Sequence, residues 1–182
     1  MQKIPTLFVR DPADLTKVIR EVHPACGWVI AGEGEPTRKY DGTCVRLDAD
    51  GVWWARREVR PGKAEPAGFV AVQQDPATGK TVGWEPVEQS SFVRFFTEAR
   101  TGDEVAGTYE LCGPKLNGNP ENYPGHVLVR HETADTFADV PRDFDGLMAW
   151  LLDHPQYEGI VWHHPDGRMA KLKHRDAVAT LK

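Results

Sequence analysis

Two hairpin signals constrain this chain more than any other feature. Thr43-Cys-Val-Arg-Leu-Asp48 and Val52-Trp-Trp-Ala-Arg-Arg-Glu-Val59 are β-prone runs joined by Ala49-Asp50-Gly51, and Gly159-Ile-Val-Trp-His163 and Arg168-Met-Ala-Lys-Leu-Lys173 flank Pro165-Asp166-Gly167. Asp-Gly suits the positive-φ positions of a tight turn, so each pair predicts two antiparallel strands. Further strands are expected at Thr6–Val9, Thr108–Leu111 and His126–Arg130. Helical spacing appears between them. Asp11 and Pro12 precede Leu15, Val18, Ile19 and Val22; Ser90-Ser91 opens a run with Phe92, Phe95, Phe96 and Ala99; Asp143 can cap a helix that buries Leu147, Met148 and Leu151 and stops at His154-Pro155. These apolar stripes read as core. The 17 glycines and 14 prolines are scattered as punctuation with no linker, so residues 1–182 are expected to form one α+β domain.

Composition excludes several classes. The longest apolar runs, such as Gly146-Leu-Met-Ala-Trp-Leu-Leu152, fall far short of the roughly 20 residues of a membrane span. Met1-Gln2-Lys3-Ile4-Pro5 lacks the apolar segment of a secretory signal, which predicts a cytoplasmic protein. Cys26, Cys44 and Cys112 are odd in number and widely spaced, arguing against a disulfide framework or a structural zinc. A net charge of −5 argues against a protein that coats nucleic acid along its length.

The residues that carry chemistry are few. Lys39 begins Lys39-Tyr40-Asp41-Gly42 before the first hairpin, where a lysine can project from a sheet edge and act as a nucleophile once deprotonated. The plainer reading is a surface lysine before a turn. In the second hairpin a two-residue Asp166-Gly167 turn would set Trp162 opposite Lys171, Ile160 opposite Lys173 and Glu158 opposite Arg175. Glu158, Lys171 and Lys173 would then share one face, suited to a polyanion and a divalent cation; a three-residue turn would put Glu158 on the other face. The plainer reading is cross-strand charge pairing. Glu110 stands in the apolar Gly107-Thr-Tyr-Glu-Leu-Cys-Gly113, where a carboxylate needs donors such as a ribose diol or, more plainly, water at a sheet edge. Arg56 and Arg60 share a face by alternation.

In order and type, Lys39-Tyr-Asp-Gly42, Arg56, Glu110, Glu158-Gly-Ile-Val161 and Lys171-Leu-Lys173 resemble the motifs of the covalent lysyl-nucleotidyltransferase superfamily of ligases and capping guanylyltransferases. Gln2-Lys-Ile-Pro5, Trp54-Ala-Arg56, Gly83-Trp-Glu-Pro-Val-Glu88, Leu116-Asn-Gly-Asn-Pro120 and Glu158-Gly-Ile-Val-Trp-His163 narrow the similarity to the small vertebrate-type ATP-dependent 5′-to-3′ RNA ligases. The phage-type RNA ligases are more distant. The resemblance implies an ATP-grasp-like nucleotidyltransferase domain with antiparallel sheets, flanking helices and no appended oligonucleotide-binding fold. It implies ATP and Mg²⁺ or Mn²⁺ as cofactors, RNA ends with a 5′-phosphate and a 3′-hydroxyl as partners, and no membrane. Lys39 would form lysyl-AMP; Arg56 would contact the ribose or the RNA 5′-phosphate; Glu110 would bind ribose hydroxyls; Glu158 would bind the ribose or the metal, directly or through water; Lys171 and Lys173 would hold the α-phosphate. Phe137 is the candidate for stacking on adenine. A guanylyltransferase, a DNA ligase of the same superfamily and a non-catalytic nucleotide or RNA-end binder are the alternatives.

Overall fold

The structure, a computed structural model, describes residues 2–76 and 78–182. In chain order the strands are β1 (Phe8–Arg10), β2 (Val18–Val22), β3 (Glu35–Lys39), β4 (Thr43–Leu47), β5 (Trp53–Val59), β6 (Val70–Gln74), β7 (Thr81–Pro86), β8 (Gly107–Cys112), β9 (Val127–Arg130), β10 (Gly159–His163) and β11 (Met169–Lys173). The α-helices are α1 (Gly27–Ile30), α2 (Val93–Ala99), α3 (Phe144–Asp153) and α4 (His174–Thr180). Antiparallel sheets with a few short helices make this an α+β protein. Among the described residues no helix is long and apolar enough to cross a membrane. The chain divides into two compact units: a terminal unit of Ile4–Tyr40 and Ala134–Lys182, and a central unit of Asp41–Thr133 joined by the N-terminal residues through Lys3.

In the terminal unit, β10 lies between β3 and β11 in a three-stranded antiparallel sheet. Alternation along β10 and β11 turns Ile160, Trp162, Ala170 and Leu172 to one face, where they form a core with Leu147, Met148 and Leu151 of α3. That helix forms as its sequence dictates. Asp143 Oδ1 accepts from Gly146 N at 2.9 Å as its cap, the apolar residues recur at helical spacing, and the chain leaves the helix at His154 before Pro155. Burying one face of the sheet leaves the other, with Lys39, Lys171 and Lys173, for polar work.

Two local expectations are corrected here. Instead of a helix from Asp11, the chain turns twice and then forms β2, which pairs with β1. Asp11 and Asp14 side chains accept from Ala13 N (2.8 Å) and Thr16 N (3.0 Å), a local alternative that competes with helix hydrogen bonds, and Leu15 is 71% exposed. The β-branched Val18, Ile19 and Val22 then favour the strand. In the second hairpin the register is Gly159 opposite Lys173, Val161 opposite Lys171 and His163 opposite Met169, one residue away from that of a two-residue turn. His164 N bonds Arg168 O at 2.9 Å, so three residues, Pro165-Asp166-Gly167, make the loop.

The central unit is a six-stranded antiparallel sheet in the order β6-β7-β5-β4-β8-β9. One face packs Val45, Trp53, Ala55, Tyr109 and Leu111 against Phe96 and Ala99 of α2, with the Trp53 and Phe96 rings edge to face at 4.9 Å. Its other face carries Cys44, Arg46, Trp54, Arg56, Trp84 and Glu110, by the pairing of Arg46 with Trp54, Arg56 with Trp84 and Cys44 with Glu110.

Candidate active site

Lys39 ends β3 and Lys173 ends β11, and both pair with Gly159, the first residue of the middle strand. Directly paired residues share a face, so the two lysines flank a position that has no side chain. Glu158, just before the strand, places its carboxylate between them. Its Oε2 accepts from Lys39 Nζ at 2.5 Å and its Oε1 accepts from Lys173 Nζ. By strict alternation the observed register would send Glu158 to the opposite face, but Glu158 lies outside the ladder and Gly159 at φ +156° releases it from that rule. A side chain at Gly159 would be blocked: a Cβ there would lie 2.2 Å from Leu172 O.

The three groups are withdrawn from water, with side-chain exposures of 19% for Lys39 and 15% each for Glu158 and Lys173. Burial opposes ionisation of Glu158, but the charges and hydrogen bonds of Lys39 and Lys173 outweigh it and hold its pKa below the ordinary glutamate value. Lys173 is itself held. Its backbone N donates to Asp176 Oδ2 at 3.0 Å, and the buried Asp176 pairs through Oδ1 with Arg10 at 2.9 Å. Lys171 lies two residues back on the same face, opposite Val161, and its strand is bordered by Pro5–Leu7 through Leu7 N to Lys171 O at 2.8 Å.

The central unit receives the chain immediately after Lys39-Tyr40 and fixes the rest of that motif. Glu110, 8% exposed, accepts from Gly42 N at 3.2 Å and from His131 Nε2 at 3.0 Å, while His131 Nδ1 meets the Thr108 hydroxyl at 2.9 Å. The buried carboxylate thus has protein donors of its own. Gly42 has no room for a side chain, since a Cβ would lie 2.2 Å from Leu111 O. Asn117 Nδ2 donates to Asp41 Oδ1 at 2.8 Å and Gly42 O at 2.9 Å, and Glu121 Oε1 accepts from Asp41 N at 2.9 Å. The loop that supplies these groups is unusual, with Lys115, Asn117, Asn119 and Asn122 all at positive φ. Such backbone is sustained only where surroundings demand it.

Lys39, Glu158 and Lys173 therefore form one hydrogen-bonded triad, with Lys171 on their face. Arg56 stands on the face of the central sheet opposite its apolar core, its guanidinium 5.4 Å from the Trp84 ring centre, and desolvation lowers its pKa. Arg60 falls beyond β5 and is exposed. Phe137 packs against the terminal-unit core, its ring 5.0 Å from both Trp150 and Tyr157. Among the described residues no group of three or more His, Cys, Asp or Glu is arranged to hold a metal ion. Sequence reasoning passed over Asn117, His131, Arg46 and Trp84. Asn117 sits in the Leu116-Asn-Gly-Asn-Pro120 stretch, whose two asparagines beside Gly and Pro announce a special turn.

Comparison with known proteins adds an independent line. The family model described as RNA ligase 1 matches residues 96–180, just under half of the chain. Over that segment the chain is similar to the RNA ligase 1 family. Zebrafish (Danio rerio) RNA ligase 1 is 35% identical over 77 residues, 38% of this chain and 24% of that protein. The rat (Rattus norvegicus) protein is 35% identical over 72 residues, covering 36% and 22%, and that of Pongo abelii is 33% identical over 78 residues, covering 38% and 24%. Each match thus spans less than a quarter of the relative. The segment matching the RNA ligase 1 model contains Glu110, Asn117, His131, Phe137, Glu158, Lys171 and Lys173, whereas Lys39 and Arg56 lie before it and rest on motif and geometry.

Proposed function

We propose that this chain is a nucleotidyltransferase domain, ATP-grasp-like in fold, of an ATP-dependent RNA ligase, with Lys39 as the nucleophile. The observation that carries this reading is the Lys39–Glu158–Lys173 triad: Lys39, far away in sequence, meets two residues of one hairpin around Gly159, all three singled out by their motifs. The similarity to RNA ligase 1 supports RNA as the substrate class.

In the first step the Lys39 amine forms a P–N bond to the α-phosphorus of ATP and the bond to pyrophosphate breaks. An amine in an ion pair carries its proton and has no lone pair to offer, so the triad is a resting arrangement. The triphosphate oxygens compete with Glu158 for Lys173, and Lys171 on the same face adds a second ammonium for the α-phosphate. A proton leaving Lys39 has the Glu158 carboxylate as its nearest acceptor. The AMP then passes to the RNA 5′-phosphate, and a 3′-hydroxyl attacks that phosphate and releases AMP. These displacements ask the protein for positioning and charge neutralisation. Glu158 is the residue that would hold a hard divalent ion such as Mg²⁺, directly or through water, once the phosphates have drawn the lysines from it, and the ion would supply charge neutralisation on the phosphates. Glu110 has two protein donors and keeps lone pairs that could accept from ribose hydroxyls, the role the motif resemblance gives it.

The test is intact-mass spectrometry after incubation with ATP and Mg²⁺. The expected result is one AMP added to the wild-type chain and none to Lys39→Ala. Wild-type protein, shown free of AMP beforehand, that gains no adduct overturns the reading, and an adduct formed from GTP alone reassigns the chain to guanylyl transfer.

A further inference from the structure

On the face of the central sheet opposite its apolar core, two guanidinium groups converge on one indole. The Trp84 ring centre lies 4.9 Å from the Arg46 guanidinium carbon and 5.4 Å from that of Arg56. Trp84 is fully buried, yet its Nε1–H finds no acceptor among the described residues, and neither does the buried Nε–H of Arg46. A buried donor without a partner is costly, and two on residues whose side chains touch, on a cationic face, call for a ligand that only accepts. The carboxylates along this face reach neither donor, although Asp48 lies near enough to Arg46, and Glu58 near enough to Arg56, to interact with their charges. Asp48 takes the Trp54 Nε1–H at 2.7 Å and the backbone N–H groups of Asp50 and Val52; Glu58 pairs with Lys80 at 2.7 Å; Glu110 holds Gly42 and His131. Trp162 also has an unpartnered indole N–H, but it lies in the apolar core of the terminal unit with no guanidinium beside its ring.

We propose that Arg46, Arg56 and the Trp84 indole N–H form a receptor for a terminal phosphate group. A phosphate presents oxygens that accept from all three, guanidinium forks match its geometry, and the indole ring holds both guanidinium groups beside it. Arg46 and Trp84 act with Arg56 on the substrate, and the assignment of that phosphate to an RNA 5′ end or to the tail of ATP rests on the ligase reading above.

The test is binding to the full chain, read without adenylylation: fluorescence anisotropy with a 3′-labelled RNA decamer carrying a 5′-phosphate or a 5′-hydroxyl, and calorimetry with ATP. Trp84→Phe keeps the ring and removes the donor; Arg46→Gln removes the charge. The expected result is an affinity loss of about fivefold for Trp84→Phe and tenfold or more for Arg46→Gln. A loss confined to 5′-phosphorylated RNA assigns the receptor to the RNA end, and one confined to ATP assigns it to the nucleotide. Unchanged affinity for both ligands in either variant that melts like wild type overturns the proposal, as does an equal loss for 5′-hydroxyl RNA, or wild-type protein that neither prefers the phosphorylated end nor binds ATP. A chain that binds phosphate as described but gains no AMP keeps this site and loses the ligase reading. A chain that gains AMP while both variants bind normally does the reverse.

Discussion

Glu158 holds two ammonium groups with one carboxylate, and all three are mostly out of water. Its folded-state pKa lies below the ordinary value of 4.5, because the two lysines favour the charged form more than burial disfavours it. The sign of the linkage follows: the stabilisation is complete above 4.5 and is lost as the pH falls through the lowered value. Glu158→Gln should therefore flatten the acid limb of a stability profile taken by urea denaturation between about pH 2 and pH 7, and an acid limb as steep as wild type would count against the triad. At neutral pH the same variant leaves two lysines facing each other; the roughly 3–5 kcal/mol lost on breaking a fully buried pair is an upper bound here, since the groups retain some exposure. Gly159→Ala addresses the same residues through space. Its Cβ would meet Leu172 O at 2.2 Å and Lys173 Cα at 2.7 Å. Backbone must shift, so a loss of about 2–4 kcal/mol is expected in equilibrium denaturation. AMP adduct formation should fall further than stability explains, because the flanking lysines move apart.

Among the elements, the loop after β8 does for Asp41-Gly42 what Gly159 does for the lysines. Asn117 at φ +49° donates twice to the motif, and an asparagine accepts this conformation at low cost. Asn117→Ala should cost about 1–2 kcal/mol, from two lost hydrogen bonds and a strained φ, whereas Asn117→Gly should cost less because the conformation is free. Thermal melts compare the two; a glycine variant as unstable as the alanine variant would show that backbone conformation contributes nothing at this position. How far elements were legible from sequence depended on how local their determinants are. α3 was legible because its cap, its apolar spacing and its stop all lie within a dozen residues. The strands β10 and β11 were legible, but their register was not, because whether two or three residues close the loop is decided by the whole ladder. β2 was misread because Leu15, Val18, Ile19 and Val22 also fit a helix, and pairing with β1 overrode that period. β3, Glu35-Pro-Thr-Arg-Lys39, has no apolar alternation and is held by β10 alone among the named strands. Lys39, Glu158 and Lys173 could be named from motifs, whereas Arg46 and Trp84 meet only through the alignment of β4, β5 and β7, which no short stretch of sequence encodes.

For the whole molecule, the chain leaves the terminal unit between Tyr40 and Asp41 and returns to it between Thr133 and Ala134. The nucleophile candidate and the Asp-Gly pair that follows it are thus built on separate frameworks, each with its own apolar core. Net charge bears on the same level of organisation. The formal −5 belongs to the entire chain, while Lys39, Lys171 and Lys173 share one face of the terminal sheet and Arg46 and Arg56 share one face of the central sheet. On the proposed ligase reading, an acidic protein with a few localised cations is expected to engage the end of an RNA and not to track along it. The number of phosphates engaged is then small, about two to four. For single-stranded RNA the slope of log K against log salt is about −0.7 per phosphate contact, which places the expected slope between about −1.5 and −3. Anisotropy titrations of a 5′-phosphorylated decamer across a series of KCl concentrations measure it. A much steeper slope would mean extended contact along the strand and would overturn the expectation of end binding.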